Sequence, residues 1–363
     1  MSSRTGCWAS AIWGATTWLN AIAPTFSAFI VTRASTGIDD SSYPGIYSLI
    51  SDYFAPKVRG KIYGFLQVTQ PIGYLIGMAL ALMLGGVLGW RKIFYLTGAL
   101  GVLLAIVIFF GVKDVPRGKS EPELQDVGGE GLGKFHFEWK TAFGLFKKPS
   151  LVILFVQGFF GVFPWNVITY WLFTYMERER GYDEGTMLIT MVPAVLLLAA
   201  GYPLGGVLGD RLFRKTPRGR AIVGAIGVVI GMILMQITIN VPAQSTLTFG
   251  IMLCVTAIFI PFASPNVISI VYDVTEPEIR STANATQSFI ESIGSAMAPL
   301  IAGIIADHTS LKDAILIICT STWAICFVFF IVAAILVPKD IAALRDKLAK
   351  RASIIAGPST AGD

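Results

Sequence analysis

Four ionisable side chains stand inside long apolar stretches: Arg33, Asp39, Asp40 and Glu291. A charge near the bilayer centre costs about 2.5–3.5 kcal/mol on insertion scales, so such residues are functional candidates by default. At 1.5 Å per helical residue, Glu291 sits roughly 15 Å into its stretch, near the midplane. Arg33 lies at a similar depth, and Asp39 and Asp40 lie about 22–24 Å along the same helix. Arg33 and Asp40 are seven residues apart, so they share a face but stand two turns from one another. A carboxyl in a low-dielectric site holds its proton more tightly, and a nearby guanidinium loosens it. A carboxylate whose Arg partner comes and goes is therefore a proton switch. Glu291, or the Asp39/Asp40 pair with Arg33, is expected to couple proton movement to conformational change or to hold a solute. A fixed ion pair between helix bundles is the structural alternative.

Polar and aromatic residues cluster at the same depth. Gln67, Gln70 and Tyr74 follow helical spacing. Gln157, Trp165, Asn166 and Tyr170 surround Pro164, and Asn266 follows Pro265. Prolines 164, 261 and 265 are able to break helices and turn backbone carbonyls toward a cavity. Together these residues predict a moderately polar, aromatic-lined cavity. Gly73, Gly77, Gly201, Gly205, Gly294 and Ala298 read as packing points between helices. His136 and His308 lie outside the apolar runs. The four cysteines lie within them and form no CxxC pair. No metal, cofactor or enzymatic constellation is therefore expected; GxGxxG does not occur, and Gly118-Lys119-Ser120 lacks the leading Gly of a GxxxxGKS/T loop, position 113 being Lys.

The elements that must position these residues follow from composition. Of 363 residues, 51 are Asp, Glu, Lys or Arg, which is 14%, against roughly 25% in a soluble domain. Hydrophobic residues make up 54%, and mean hydropathy is +0.67. These figures exclude a soluble globule, a disordered chain, a disulfide scaffold and a nucleic-acid binder, and leave an all-α polytopic membrane protein. Ten stretches are long and apolar enough to span: about 6–22, 24–50, 61–85, 90–112, 150–175, 185–209, 219–239, 246–271, 282–306 and 312–337. With both termini inside, 22 Lys and Arg fall on the inner side and 5 on the outer. This bias predicts a multi-pass protein of the cell membrane with cytoplasmic ends. The basic pI is then an orientation signal, not a sign of an acidic ligand. Arg214, Lys215, Arg218 and Arg220 read as such determinants and as contacts to lipid headgroups.

An internal repeat orders the spans. At an offset of 221, Pro44 matches Pro265, Ser48 matches Ser269 and Asp52 matches Asp273. Pro56 likewise matches Pro277, Arg59 matches Arg280, and Ile72-Gly73 matches Ile293-Gly294. Both copies place an Asp, a Pro and an Arg in a short loop between two helices with the same orientation. This is a parallel repeat of two bundles. The second bundle holds six spans and the first four. The chain is therefore expected to lack the first two helices of a twelve-helix protein, with little stability or activity on its own. The organisation expected is an incomplete N-terminal bundle (1–112), a linker with an interfacial helix (113–149), a six-helix bundle (150–338) and a cytoplasmic tail (339–363). The linker's Gly128–Gly133 run is flexible by composition. Its Phe137-Glu138-Trp139-Lys140 and Phe143–Lys148 segments place aromatics beside lysines, as for a helix on the inner leaflet.

The run Gly206-Val207-Leu208-Gly209-Asp210-Arg211-Leu212-Phe213-Arg214-Lys215 resembles the loop signature G-x-x-x-D-R-x-G-R-R of the major facilitator superfamily, with Phe213 in place of the usual Gly. Arg33-Ala34-Ser35-Thr36-Gly37 resembles the family's fourth-span R-x-x-x-G pattern, and Pro56-x-x-Arg59-Gly60 the loop after it. The resemblance implies that Gly206, Asp210, Arg211 and Arg214 form a loop that clamps neighbouring helices at the cytoplasmic side in the outward-open state. Asp210 would accept from Arg residues and face a helix N-terminus, where the dipole is positive. It also implies a secondary transporter working by alternating access, with a small organic solute and protons as partners, the lipid bilayer around it, and a monomeric state. Gly37-Ile38-Asp39-Asp40 and Phe163-Pro164-Trp165-Asn166 look most like prokaryotic relatives of the spinster lysolipid carriers and of the organic-anion carriers. A lipid-like exporter, or a sensor that binds without flux, is the alternative.

Overall fold

The computed structural model describes residues 3–35, 43–111 and 144–355. Asp39, Asp40 and most of the predicted interfacial helix lie outside these residues. The described chain is helical, in the order α1 (Ser3–Ile22), α2 (Phe26–Ser35), α3 (Tyr43–Tyr53), α4 (Arg59–Gln67), α5 (Thr69–Leu88), α6 (Trp90–Gly111), α7 (Pro149–Arg178), α8 (Glu184–Phe213), α9 (Gly219–Asn240), α10 (Thr246–Phe259), α11 (Ala263–Asp273), α12 (Arg280–His308) and α13 (Leu311–Ile355). Among the described residues, 7 stretches are long and apolar enough to cross a bilayer. They are the last seven of the ten predicted, and the chain is a multi-pass membrane protein. The predicted 24–50 span is occupied by α2 and α3, with residues 36–42 outside the described part. The predicted 61–85 span is α4 and α5, joined at Val68, whose N–H donates to the Phe65 carbonyl three residues back at 3.3 Å.

The Trp- and Thr-rich α1 finds its partner in α6. Trp18 Nε1 donates to the Tyr95 carbonyl at 2.9 Å, and Trp13 and Trp18 cover Gly101 and Gly98. Thr16, Thr17 and Asn20 are buried, and Thr32 on α2 donates to Asn20 at 3.0 Å. Leu96, Leu100, Leu103, Ile106, Val107 and Phe110 of α6 are exposed, as side chains facing acyl chains would be. In the second bundle, α7 packs against α12 and α13, and α9 against α13 and α8. Pro164 is accommodated inside a continuous α7, whereas Pro261 sits in a 3₁₀ turn that separates α10 from α11.

The repeat is visible in geometry. The turn Pro56–Val58 between α3 and α4 matches the turn Pro277–Ile279 between α11 and α12. Arg59 donates to the Ser51 carbonyl at 2.8 Å, and Arg280 donates to Tyr272 at 3.2 Å. Those two acceptors are also 221 residues apart.

The helix of the last span continues past the boundary expected near residue 338. α13 runs through Pro338 to Ile355, because Ile341, Leu344 and Leu348 recur at helical spacing and are buried. Lys347 reaches Glu276 at 2.7 Å, and Arg351 reaches Glu276 and Glu278 at 2.9 Å each. Ser150 also bonds Asp340. Partial burial pushes the Glu276 carboxyl up, but the bond from Lys347 and the charges of Lys347, Arg351 and Lys148 outweigh it and hold it below its ordinary value. A depressed carboxyl stabilises above its unfolded value and loses that contribution as pH falls through the folded one. The last three turns of α13 should therefore exchange amide hydrogens faster below about pH 4. Lys347→Gln/Arg351→Gln should show that faster exchange already at pH 7. Hydrogen exchange across 340–355 that is unchanged in both cases would refute the clamp. These pairs are half-exposed, so each is worth about 0.2–1 kcal/mol.

Candidate functional site

Helical spacing stacks three layers along the faces where the two bundles meet. On α4, Arg59, Tyr63 and Gln67 stand four residues apart on one face, about 6 Å per step. On α8, Tyr202, Gly206 and Asp210 do the same. The first layer is ionic and lies at the end of the molecule rich in Lys and Arg. Asp210 is buried and accepts from the first-turn N–H groups of α4, Gly60 at 3.3 Å and Lys61 at 2.8 Å. Those donors have no partner within their own helix, and the helix dipole favours an anion there. Asp210 also accepts from Arg220 Nη2 at 2.6 Å and Nε at 3.2 Å. Arg220 has no exposed surface. It pairs as well with Asp273 and donates to the Pro56 carbonyl at 2.6 Å. Arg59 stands 3.9 Å from Asp273. One guanidinium thus joins α8, α9, α11 and the turn before α4.

This corrects two expectations. Arg220 is not a surface orientation charge but the centre of the clamp. Arg211 and Arg214 are exposed, so neither holds Asp210. Phe213 has a positive use, since its ring lies 4.0 Å from the Arg220 guanidinium. The close approach expected of a glycine there falls on Gly219, where a Cβ would come 2.3 Å from the Leu212 carbonyl carbon. Gly206 lets α8 touch α4, its side-chain direction meeting the Gly60 carbonyl oxygen at 2.1 Å.

The second layer is aromatic. Tyr63 packs edge-on against Tyr47 at 5.3 Å and Tyr272 at 5.7 Å, and all three are buried. It lies between the ionic layer and a cavity of about 500 Å³.

The cavity draws on both bundles. Gln67 and Gln70 come from the first, and Trp165, Asn166 and Glu291 from the second, as expected from the sequence. Glu291 accepts from Gln287 Nε2 at 2.7 Å. Gly158 makes room for it, since a Cβ there would stand 2.7 Å from Glu291 Oε1. Asn166 ties α7 to α12 through Ser295 at 3.0 Å. Gln287 and Gln157 are 3% and 4% exposed, and each leaves its amide oxygen without a partner. The bond from Gln287 to Glu291 pins the orientation of that amide, so its oxygen is the free acceptor. Among the described lining residues, Glu291 is the only charge.

Four expected residues stand elsewhere. Tyr74 and Tyr170 are 45% and 64% exposed and do not line the cavity. Asn266 is buried in packing, donating to Gly205 at 3.0 Å and Phe262 at 2.7 Å. Arg33 is exposed and also outside the lining. Of the packing glycines, Gly201, Gly205 and Gly294 meet neighbouring backbone, whereas Gly73 and Gly77 meet no described atom within 4 Å. Sequence reasoning singled out Glu291 and missed its companions. Asn284, Gln287, Ser288, Glu291, Ser292 and Ser295 form a polar stripe at helical spacing along α12, and all six line the cavity. Among the described residues no group of His, Cys, Asp and Glu is placed to hold a metal ion.

Comparison with known proteins places this architecture. The chain is 26% identical over 320 residues to a probable L-galactonate transporter of Escherichia coli K12, covering 84% of this chain and 69% of that protein. It is 25% identical over 353 residues to protein spinster homolog 1 of Xenopus laevis, covering 87% of this chain and 64% of that one. The fold matches the E. coli fucose:proton symporter with a TM-score of 0.66 at 15% identity, over 91% of this chain and 83% of that one. It matches a bacterial homologue of the lysosomal transporter spinster with a TM-score of 0.53 at 17% identity, over 97% and 84%. The profile of the Major Facilitator Superfamily matches residues 3–299, and the chain belongs to that family of membrane transporters.

Proposed function

We propose that this protein moves a small polar organic solute across the cell membrane by alternating access, with protonation of Glu291 coupled to rocking of the two bundles. The observation that carries the reading is the place of Glu291. It faces the cavity between the bundles and is the only charge among the described lining residues. An ionised carboxylate without a counter-charge resists being sealed from water, and a proton removes that resistance. Occlusion of the cavity would then require a protonated Glu291 or a solute that satisfies it. The free amide oxygens of Gln157 and Gln287 offer further acceptors to a solute that carries hydroxyl or N–H donors.

The Lys and Arg bias puts the ionic layer at the cytoplasmic side. The arrangement described is then closed to the cytoplasm, with both termini inside. Relatives named as transporters of galactonate, sulfoacetate and muconate, and a fold shared with a fucose:proton symporter, support a small-solute carrier. The Gln, Asn and Ser lining favours a polar solute over the acyl chain of a lysolipid.

The test is uptake into vesicles holding the purified chain, with sugar acids, sulfonates, dicarboxylates and hexoses as the panel. Glu291→Gln should reduce pH-gradient-driven accumulation to the level of empty vesicles while solute exchange continues. Accumulation that survives in Glu291→Gln would sink the coupling role. Binding without flux for every solute would point to a sensor.

A further inference from the structure

We propose that the cavity between the bundles binds its solute through a protonated primary amine, and that this ammonium and the coupling proton compete for the Glu291 carboxylate. The inference rests on the transport reading above and names the chemical class of the solute and the sense of the coupling. It narrows the solute away from the organic acids for which the relatives are named.

Three acceptors carry it. Glu291 stands one turn from Gln287 on α12 and accepts from its Nε2 at 2.7 Å. The Gln287 amide oxygen is left without a partner, and so is that of Gln157 on α7. Both glutamines are more than nine-tenths buried, and both line the cavity. The two helices meet at this point. Gly158, next to Gln157, is so close that a Cβ there would stand 2.7 Å from Glu291 Oε1. A buried oxygen without a donor is a cost that a ligand carrying N–H groups relieves.

An ammonium has three donors, no acceptor and a positive charge. It complements one carboxylate and two amide oxygens. A carboxylate or sulfonate would add acceptors and a second negative charge. A hydroxyl offers one donor and no charge. Trp165 and Tyr202 line the same cavity, and aromatic faces attract cations. On the first bundle, Gln67 of α4 leaves its Nε2 donor without a partner. The far end of the solute is therefore met by a donor, which suits a hydroxyl or a carbonyl there.

The sense of coupling follows. A protonated Glu291 is neutral and no longer pairs with a cation. The other titratable groups among the described lining residues are Tyr47 and Tyr202, and phenols ionise only near pH 10. Cys326 of α13 reaches the Gln157 backbone carbonyl at 3.6 Å but does not line the cavity. Glu291 is thus the lining group that titrates against the solute between about pH 5 and 9, where a primary alkylamine stays charged. Solute binding displaces a proton, and the carrier exchanges one for the other.

The experiment is calorimetric titration of the purified full chain with matched amine, alcohol and acid probes in three sizes. They are ethanolamine, ethylene glycol and glycolate; 4-aminobutanol, 1,4-butanediol and 4-hydroxybutyrate; and tyramine, tyrosol and 4-hydroxyphenylacetate. In at least one size the amine should bind about tenfold or more tightly than both partners. Its affinity should fall at least about fivefold from about pH 8 to about pH 5.5. Glu291→Gln should abolish that pH dependence and weaken amine binding about tenfold or more, so exchange by this variant needs more solute. Gln157→Leu should weaken binding about threefold and keep the pH dependence, and it serves alone with the native pH profile if Glu291→Gln fails to purify. An alcohol or acid that binds as tightly in every size, no binding by any probe, or amine affinity that holds or rises toward acid pH would each overturn the proposal. Vesicle uptake separates it from the reading on which it rests. Glu291-dependent accumulation of an acid or a hexose would keep the carrier and overturn the ammonium site. Amine binding without flux would keep the ammonium site and overturn the carrier.

Discussion

Arg220→Gln is expected to open the basic end of this transporter. The native guanidinium has no exposed surface and holds Asp210, Asp273 and the Pro56 carbonyl at once. Glutamine is neutral and shorter, so both carboxylates lose their shared cation in a buried site. Removing one partner of a buried ion pair costs about 3–5 kcal/mol. Asp210 keeps the two N–H groups of α4, and Asp273 keeps Arg59 nearby, which places the loss toward the lower figure. The pairs with Asp210 and Asp273 lie within the second bundle, so the part that belongs to the closed arrangement is the charged hydrogen bond to the Pro56 carbonyl and the setting of Asp210 against Gly60 and Lys61. A hydrogen bond to a charged group is worth about 1.5–3 kcal/mol, so the closed-to-open balance should move by roughly tenfold or more. Arg220→Lys should not rescue it, since an ammonium is a point charge and cannot reach three acceptors in a fork. The readout is the labelling rate of a cysteine placed at Ser264, a cavity residue, by a membrane-impermeant reagent added from the basic side. An unchanged labelling rate together with an unchanged unfolding temperature would show that Arg220 is not the clamp. A double-variant cycle with Asp210→Asn should show strong coupling, because the two side chains act as one unit.

Gly206→Ala should reach a similar end without touching a charge. The new Cβ would fall 2.1 Å from the Gly60 carbonyl oxygen and 2.6 Å from its carbon. Both are backbone atoms of the opposing helix, so no rotamer change relieves the contact. α4 and α8 must separate, and with them the bundles. Overpacking of this kind costs about 1–3 kcal/mol, here set against the closed state alone, so basic-side labelling should rise about tenfold or more. Gly77→Ala is the control. A Cβ there meets no described atom within 4 Å, and alanine favours helix over glycine by about 1 kcal/mol. It should leave labelling unchanged. Equal behaviour of the two alanine variants would mean that the contact at Gly206 does not hold the closed state.

Both predictions rest on features of unequal legibility. That Asp210 faces a helix N-terminus was readable, because the resemblance of 206–215 to the family loop placed an acid where orphan N–H groups gather. That Arg220 closes on it was not. Arg220 stands in a run with Arg211, Arg214, Lys215 and Arg218, and a charge run beside an apolar stretch looks the same whether its members meet water or a carboxylate. Only the packing of α9 beside α8 and α11 buries one of them. The α12 stripe was present in the sequence as helical spacing of Asn, Gln, Ser and Glu around Glu291. Uncharged polar residues in a span more often bond a neighbouring helix, so that spacing alone does not separate a cavity wall from a packing contact.

Composition and chain order are enough to establish a helical membrane protein, the course of its later spans, two halves that repeat at an offset of 221, and the family the chain joins. These properties follow from local hydrophobicity and chain order. A bilayer demands continuous helices of one length, and a repeat needs no knowledge of contacts. Packing sets which way each helix is turned. Depth along a helix follows from counting residues, but the facing of Gln67, Tyr74, Tyr170 and Asn266 depends on rotation about the axis. Neighbouring helices set that rotation, and so separate cavity wall, packing contact and lipid-facing surface among residues that look alike in sequence.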